Sequence, residues 1–192
     1  MYSEVSDMKT ILVCNQKGGV GKSLVADEIA FSFERSGIPV SFYDLDAQGG
    51  TLHRTQEADG AEVAVVDTPG ALQEALSEWL READVVVIPT RTTSRDIEPL
   101  MRMRKAVFKH SRAKIVYVMN GWNRFKASRD FMEWFGGLAG DQTVVTLPQS
   151  EAFVQAGAAG VSVVQFDRRG KAARATRAMV DTVREAAGFP RE

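Results

Sequence analysis

A single cysteine, Cys14, stands in 192 residues. That excludes an internal disulfide and a cysteine-paired metal centre, and suits a reducing cytoplasm. Its place in the apolar run "ILVCN" reads as a small buried hydrophobe. No apolar stretch approaches the ~20 residues of a membrane-spanning helix. The opening "MYSEVSDMKT" is acidic and polar, with no signal-peptide core. The formal net charge is −1, so the chain has no bulk electrostatic pull toward nucleic acid or membrane, and such affinity would need a local patch. Linker-like, low-complexity and repeated segments are also missing. The expectation is one domain over residues 9–188, a flexible start at 1–8 and a short tail at 189–192.

Against these absences, one pattern recurs. Short runs rich in β-branched and apolar residues alternate with longer helical stretches: "TILVCN" (10–15), "PVSFYDL" (39–45), "EVAVVD" (62–67), "DVVVIP" (84–89), "KIVYVMN" (114–120) and "QTVVTLP" (142–148). Several are apolar throughout, as strands are in a parallel sheet covered on both faces. Between them, "SLVADEIAFSFERSG" from Ser23 spaces Leu24, Ile29, Ala30 and Phe33 helically and stops at Gly37 and Pro39. "ALQEALSEWLREA" and "SRDIEPLMRMRKAVFKH" follow the third and fourth strands. The class is therefore α/β, a doubly wound, mostly parallel sheet with helices on both faces. Ligands bind such sheets at the carboxyl ends of the strands.

Those ends hold the unusual residues. After the first strand comes "NQKGGVGKS", Asn15 to Ser23, in the strand–turn–helix context of a phosphate-binding loop. Gly18, Gly19 and Gly21 let the backbone aim successive N–H groups at a phosphate, and the helix start adds its dipole. Lys22 would reach the β- and γ-phosphates, and Ser23 would offer its hydroxyl to Mg²⁺. Gln16 replaces the usual first glycine, and a second lysine, Lys17, is unexplained by phosphate binding alone. "VAVVDTPG" puts Asp67 where a second acid near the metal belongs, with Gly70 as a γ-phosphate sensor. In "YDLDAQGG", Asp44 and Asp46 face one side of an extended chain. One of them could orient an attacking water while the other holds it in place.

These motifs resemble the ParA/MinD group of P-loop ATPases, whose mark is K-G-G-x-G-K-[ST]. Lys17 to Ser23 fit it at every position. The likeness is greatest to short ParA-type partition ATPases without an N-terminal helix-turn-helix. "DLDAQGG" resembles their switch I, "VVDTPG" their Walker B strand, and "LPQSEAFVQAGAAGVSV" a later block with a base-side proline. The resemblance implies that Lys17 acts in trans across an ATP-dependent homodimer, that Lys22 acts in cis, and that Asp46 works near the attacking water. It implies metal contacts from Ser23 and Asp67, and nucleotide contacts from Lys17, Gly18, Gly19, Val20, Gly21, Lys22, Ser23, Leu24, Asn120 and Pro148. It further implies ATP and Mg as cofactors, a weak partner-stimulated ATPase, non-specific DNA binding, a ParB-like DNA-bound adaptor and a nucleoid-associated place in the cytoplasm.

Two departures stand out. Ala47 replaces the switch I proline, and about twenty residues separate Asp46 from Asp67, where the family has a longer insert. Arg168, Arg169, Lys171, Arg174 and Arg177 are the first candidates for DNA contact, with Arg124, Lys126 and Arg129 second. Arg102, Lys105, Lys109 and Arg112 form a further basic series along one helix face. The last helical stretch lacks a bulky apolar face, which argues for packing on the sheet rather than on a membrane. His53 and His110 stand isolated and receive no role. Two other readings stay open: a small-molecule kinase or ligase of the same fold, and a non-hydrolysing ATP-switched binding module in conjugation or cargo positioning.

Overall fold

The computed structural model describes residues 8–70 and 74–192. The expected flexible start lies outside the described residues except for Met8, as do the first three residues of the helix expected at 71–83. In chain order the elements are β1 (Lys9–Val13), α1 (Lys22–Arg35), β2 (Val40–Asp44), β3 (Val63–Asp67), α2 (Glu74–Glu82), β4 (Val85–Arg91) and α3 (Ser94–His110). They continue with β5 (Lys114–Trp122), α4 (Lys126–Ala139), β6 (Thr143–Pro148), α5 (Ala152–Ala158), α6 (Val163–Phe166) and α7 (Lys171–Ala187). The six strands form one sheet in the order β2-β3-β1-β4-β5-β6, and every neighbouring pair is parallel.

Each strand's alternation sends its side chains to two separate cores. Ile11, Val13, Val65, Val85 and Val118 pack with Ile29 and Phe33 of α1 and Met179, Val180 and Val183 of α7. Leu12, Cys14, Val66, Val86 and Tyr117 pack on the other face with Leu80 of α2, Leu100 and Met103 of α3, and Phe131 and Phe135 of α4. This two-sided burial explains the continuous apolar runs. Cys14 is sealed in the second core, and burial pushes its thiol pKa up to about 12, so it is an inert hydrophobe. The face of α7 expected to pack inward does so.

The stretch "GWNRFKASRDFMEWFGG" reads as one helix face covering the sheet through Trp122, Phe131, Trp134 and Phe135. Phe131 and Phe135 do cover it, and the two tryptophans are placed differently. Trp122 lies at the end of β5, outside the helix, with the Lys171 ammonium 6.0 Å from its ring centre. Trp134 sits at the rim of α4, edge-on to the buried Phe131 at 5.3 Å.

The shortened segment after β2 is more ordered than its composition suggests. It doubles back so that Phe42 and Gln56 exchange both backbone hydrogen bonds at 2.9 Å, an antiparallel bridge on the sheet's outer edge. The Thr55 hydroxyl accepts the Asp44 N–H and the Ser41 hydroxyl accepts the Ala58 N–H. Side chains thereby occupy edge positions that would otherwise invite another strand.

His53 pins this segment, contrary to the expectation that it is isolated. Its ring stacks on Phe42 at 5.0 Å and tilts against Phe31 at 4.3 Å. Nδ1 lies 2.7 Å from Asp27 of α1, and the same carboxylate accepts the Leu52 and His53 backbone N–H groups. Glu34 stands 3.4 Å from Nε2. Burial opposes a charged ring, but the Asp27 hydrogen bond, the Asp27 charge and Glu34 outweigh it and hold the His53 pKa above its ordinary 6.5. Protonation thus favours the fold: the contribution is full below the unfolded-state value and is lost as pH rises through the higher folded-state value. Thermal unfolding across pH 5.5–8.5 should show wild-type stability falling relative to His53→Gln over the upper part of that range. Asp27→Asn should cost about 1–3 kcal/mol, and equal pH profiles for wild type and His53→Gln would refute the assignment.

Candidate nucleotide site

The chain leaves β1 through a turn built for close approach. Gly19 has φ +72° and Gly21 φ +96°, the left-handed region where a Cβ is disfavoured. A Cβ on Gly21 would also lie 2.1 Å from the Asn120 amide nitrogen. That amide donates to the Val20 carbonyl at 2.9 Å, so β5 braces the turn from below. On the other side, Asn15 accepts the Lys17 N–H through Oδ1 at 3.1 Å and donates through Nδ2 to Pro89 of β4 at 2.8 Å. Helix α1 begins at once, with Val25 donating to the Gly21 carbonyl, so its positive end faces the turn.

The turn opens onto a cleft of about 600 Å³. Gln16, Gly18, Gly19, Gly21, Lys22, Ser23 and Leu24 line one side, and Asp46, Gln48, Gly49, Pro69 and Gly70 the other. Of the expected nucleotide residues, Val20 does not line it. Its side chain is buried, and its carbonyl accepts the Asn120 amide N–H. Lys22 is buried too, its ammonium 3.4 Å from the Lys17 carbonyl. Gly70 rests on the turn, where a Cβ would come within 3.4 Å of the Gln16 carbonyl. Asn120 and Pro148 line a second cleft of about 490 Å³, joined to the first through Leu24.

The paired aspartates divide their labour. Asp44 accepts the Asp46 N–H at 2.9 Å and the Thr51 hydroxyl at 2.6 Å, while Asp46 accepts the Gln48 N–H and lines the cleft. Asp44 therefore shapes the loop and Asp46 faces the ligand side. Glycine at position 50 keeps the loop close to the phosphate turn, since a Cβ there would meet the Ser23 hydroxyl at 3.2 Å.

Asp67 ends β3 beneath the cleft, 1% exposed, with Oδ1 buried and unpartnered among the described residues. Burial raises its pKa most, and the Ser23 hydroxyl and Lys22 pull it back only in part, leaving it pushed up to about 6. An orphaned carboxylate oxygen next to a serine hydroxyl fits a hard divalent cation that keeps several waters and takes its other ligands from phosphates. No cluster of three or more acidic, histidine or cysteine side chains suited to a metal occurs among the described residues.

The second lysine has an unexpected address. Lys17 does not line the cleft, and its ammonium reaches outward to Asp96 Oδ1 at 2.6 Å and the Arg95 carbonyl at 3.2 Å. The Arg95 carbonyl is available because Pro99, four residues on in α3, has no N–H to give it. Thr93 hydrogen-bonds the other Asp96 oxygen. Sequence reasoning missed Asp96, since a lone aspartate in the first turn of a helix reads as dipole compensation. Pro99 inside "SRDIEPL" was the one available signal.

Among the basic candidates, Arg168, Arg169, Lys171 and Arg174 are exposed, whereas Arg177 is half-buried and donates to the Arg168 carbonyl at 2.9 Å. Arg102 pairs with Glu98 on α3.

With this geometry established, comparison with known proteins decides the family. The CobQ/CobB/MinD/ParA nucleotide binding domain family matches residues 11–163. The chain belongs to this family. It is 27% identical over 115 residues to Protein ParA of Rhizobium radiobacter, covering 46% of this chain and 51% of that protein. It is 42% identical over 50 residues to Protein IncC of Escherichia coli, 26% of this chain and 14% of that protein. The chain thus spans about half the length, or less, of these curated relatives. The solved ATP complex of a Cyanothece McdA variant superposes with a TM-score of 0.81 at 16% identity, over 97% of this chain and 99% of that one. This likeness establishes the fold, and no helix among the described residues is long and apolar enough to cross a membrane.

Two outcomes follow from the site. Gly21→Ala should destabilise the protein by about 1–3 kcal/mol through backbone strain and the clash with Asn120, measured by denaturant unfolding. Asp67 keeps its proton in the folded state up to about pH 6, so its contribution to stability is full below the ordinary carboxylate value and is lost as pH rises through about 6. Asp67→Asn should therefore stabilise the ligand-free protein at pH 7.5 by about 1–3 kcal/mol, while abolishing the Mg²⁺-dependent part of ATP affinity. In wild type that Mg²⁺-dependent part should shrink below about pH 6. A Mg²⁺ effect unchanged from pH 7.5 to 5 would refute it.

Proposed function

We propose that the protein is a Mg²⁺-dependent ParA-like ATPase that dimerises on ATP and positions DNA, in plasmid or chromosome partition. The observation that carries this reading is the position of Lys17. A lysine belonging to its own phosphate cleft would point inward with Lys22. Lys17 instead projects from the rim, half-buried against Asp96, where a second copy of the chain facing the cleft would meet it.

In this reading the phosphates lie against the Gly18–Ser23 backbone, Lys22 neutralises the β- and γ-oxygens, and Ser23 and Asp67 would hold magnesium. When bound, the cation would supply charge neutralisation to the phosphates. Asp46, set by the Asp44–Thr51 contact, orients the attacking water. Lys17 of one protomer leaves Asp96 and joins the partner's γ-phosphate, lending positive charge where the transition state gathers negative charge. Dimerisation then depends on ATP because only its γ-phosphate outcompetes Asp96. Asn120 and Pro148 flank the base in the adjoining cleft.

DNA binding is assigned to the exposed Arg168, Arg169, Lys171 and Arg174. Arg177 organises them by holding the Arg168 carbonyl. Four phosphate-facing cations would make retention strongly salt-dependent. A DNA-bound, ParB-like adaptor stimulates hydrolysis and resets the dimer, and the protein works in the cytoplasm on the nucleoid. The shortened, His53-pinned segment leaves the switch loop less independent than an inserted strand and helix would.

Lys17→Gln should lose ATPase activity by 10²-fold or more together with the ATP-induced dimer, read by phosphate release and light scattering. Asp96→Ala should instead make dimerisation easier at limiting ATP. Arg168→Glu with Arg169→Glu should lower ATP-dependent DNA retention while leaving hydrolysis in the absence of DNA intact. Normal hydrolysis by the Lys17 variant refutes the trans role. Phosphate transferred to an added acceptor would mark a kinase or ligase, and ATP-dependent DNA retention without phosphate release a binding module.

A further inference from the structure

The second cleft contains a cation that the phosphate chemistry does not use. Arg91 is the last residue of β4 and lies in register with Asn120 of β5. Immediately after Asn120 the β5–β6 pairing slips by a residue, a bulge centred on Gly121, whose φ is +74°. Bulges of this kind re-aim side chains beside functional sites.

Here the bulge does two things. It turns the Asn120 amide under the phosphate turn, and it leaves a bare glycine Cα as a resting place for Arg91. A Cβ on Gly121 would stand 2.6 Å from Arg91 Nη1 and 3.5 Å from Cζ. The guanidinium therefore lies directly against that backbone, in space that any side chain would deny it.

The same guanidinium has no ion pair and donates no hydrogen bond among the described residues. It lines the cleft of about 490 Å³ together with Leu24, Asn120, Pro148, Glu151 and Phe153, and it does not line the phosphate cleft. Arg91 is exposed at the rim of this mixed cleft, where Gln149 and Ser150 stand beside Leu24, Pro148 and Phe153. An unpaired planar cation so placed is suited to stacking on an aromatic ring. A second phosphate site is the poorer match, because the cleft carries Glu151 as well.

We propose that Arg91 is a specificity-determining residue that holds the nucleotide base, its guanidinium laid over the ring between the bulged Gly121 and the Pro148 side of the cleft. This rests on the nucleotide reading of the Gly18–Ser23 turn and adds to it the residue that distinguishes a nucleotide from a bare polyphosphate.

The test is calorimetric titration of the full chain with Mg-ATP and, separately, with Mg-tripolyphosphate. Wild type should bind ATP more tightly than tripolyphosphate. Arg91→Ala should weaken ATP binding by about ten-fold and leave tripolyphosphate binding within two-fold of wild type. Arg91→Lys, which keeps the charge and loses the plane, should restore less than half of the loss on a logarithmic scale. Gly121→Ala, confirmed folded by its melting transition, should reproduce the Arg91→Ala pattern by displacing the guanidinium. Equal weakening of both ligands by Arg91→Ala would overturn the proposal, because Arg91 would then be reading phosphate charge. Unchanged ATP affinity in that variant would overturn it too. If wild type bound tripolyphosphate and ATP equally well, the base-holding role would fall while the phosphate site stood. If wild type bound neither, both would fall.

Discussion

The left-handed backbone at Gly21, wedged over the Asn120 amide, is the constraint from which the site is built. It ends the β1 turn in one step and starts α1 with its N–H groups aimed at the cleft. No other residue type satisfies both the torsion and the 2.1 Å gap that a Cβ would have to enter. The brace works only because β1, β4 and β5 lie side by side and parallel. Asn15 then reaches β4 and Asn120 reaches the turn from the far side of β4. Phosphate geometry is thus a property of sheet order, and mutations that perturb the β4–β5 pairing should be felt at the turn.

The same sheet order sets up competition for Lys17. With its ammonium placed outside its own cleft, the lysine has to be stabilised somewhere in the free chain, and α3 supplies a carboxylate and a carbonyl released by Pro99. A paired, mostly buried carboxylate such as Asp96, 2% exposed at its side chain, would suffer if its partner left without replacement. The rim contact therefore opposes departure of Lys17, and any ligand that recruits the lysine must offer more negative charge than one carboxylate. A γ-phosphate with its neighbours does, whereas a diphosphate lacks the terminal group. On the proposed trans role of Lys17, this competition would contribute to discrimination between a triphosphate and a diphosphate.

Much of this was legible in the sequence, and the reasons are uneven. The six strands were readable because burial on both faces writes continuous apolar runs, and the phosphate turn because its glycines and lysines are adjacent in the chain. Asp44 and Asp46 were readable as a pair from their spacing, and the family resemblance singled out Asp46. The Thr51 contact that ties Asp44 into the loop was not readable, because it forms only after the loop turns. His53, Arg91 and Asp96 were not readable. Each takes its meaning from a partner distant in sequence: Asp27 for His53, Gly121 for Arg91 and Lys17 for Asp96. Single histidines, arginines and aspartates have no periodicity to mark them.

The shortened segment after β2 gives the clearest case of compensation. Removing an inserted strand and helix would leave the β2 edge open and the switch loop loosely held. In this chain Gln56 closes the edge with one antiparallel bridge, and Asp27, a residue of the phosphate-turn helix itself, grips the segment through two backbone N–H groups and His53. The loop carrying Asp46 is therefore tethered at both ends, by Asp44 at its start and by α1 beyond Thr51. A tether of this kind narrows the loop's conformations before any nucleotide arrives, which lowers the ordering cost on binding. It also links the loop to the protonation of a buried histidine. Nucleotide affinity and fold stability consequently share one set of contacts, and a change that loosens His53 should slacken the loop before it reaches the phosphate turn.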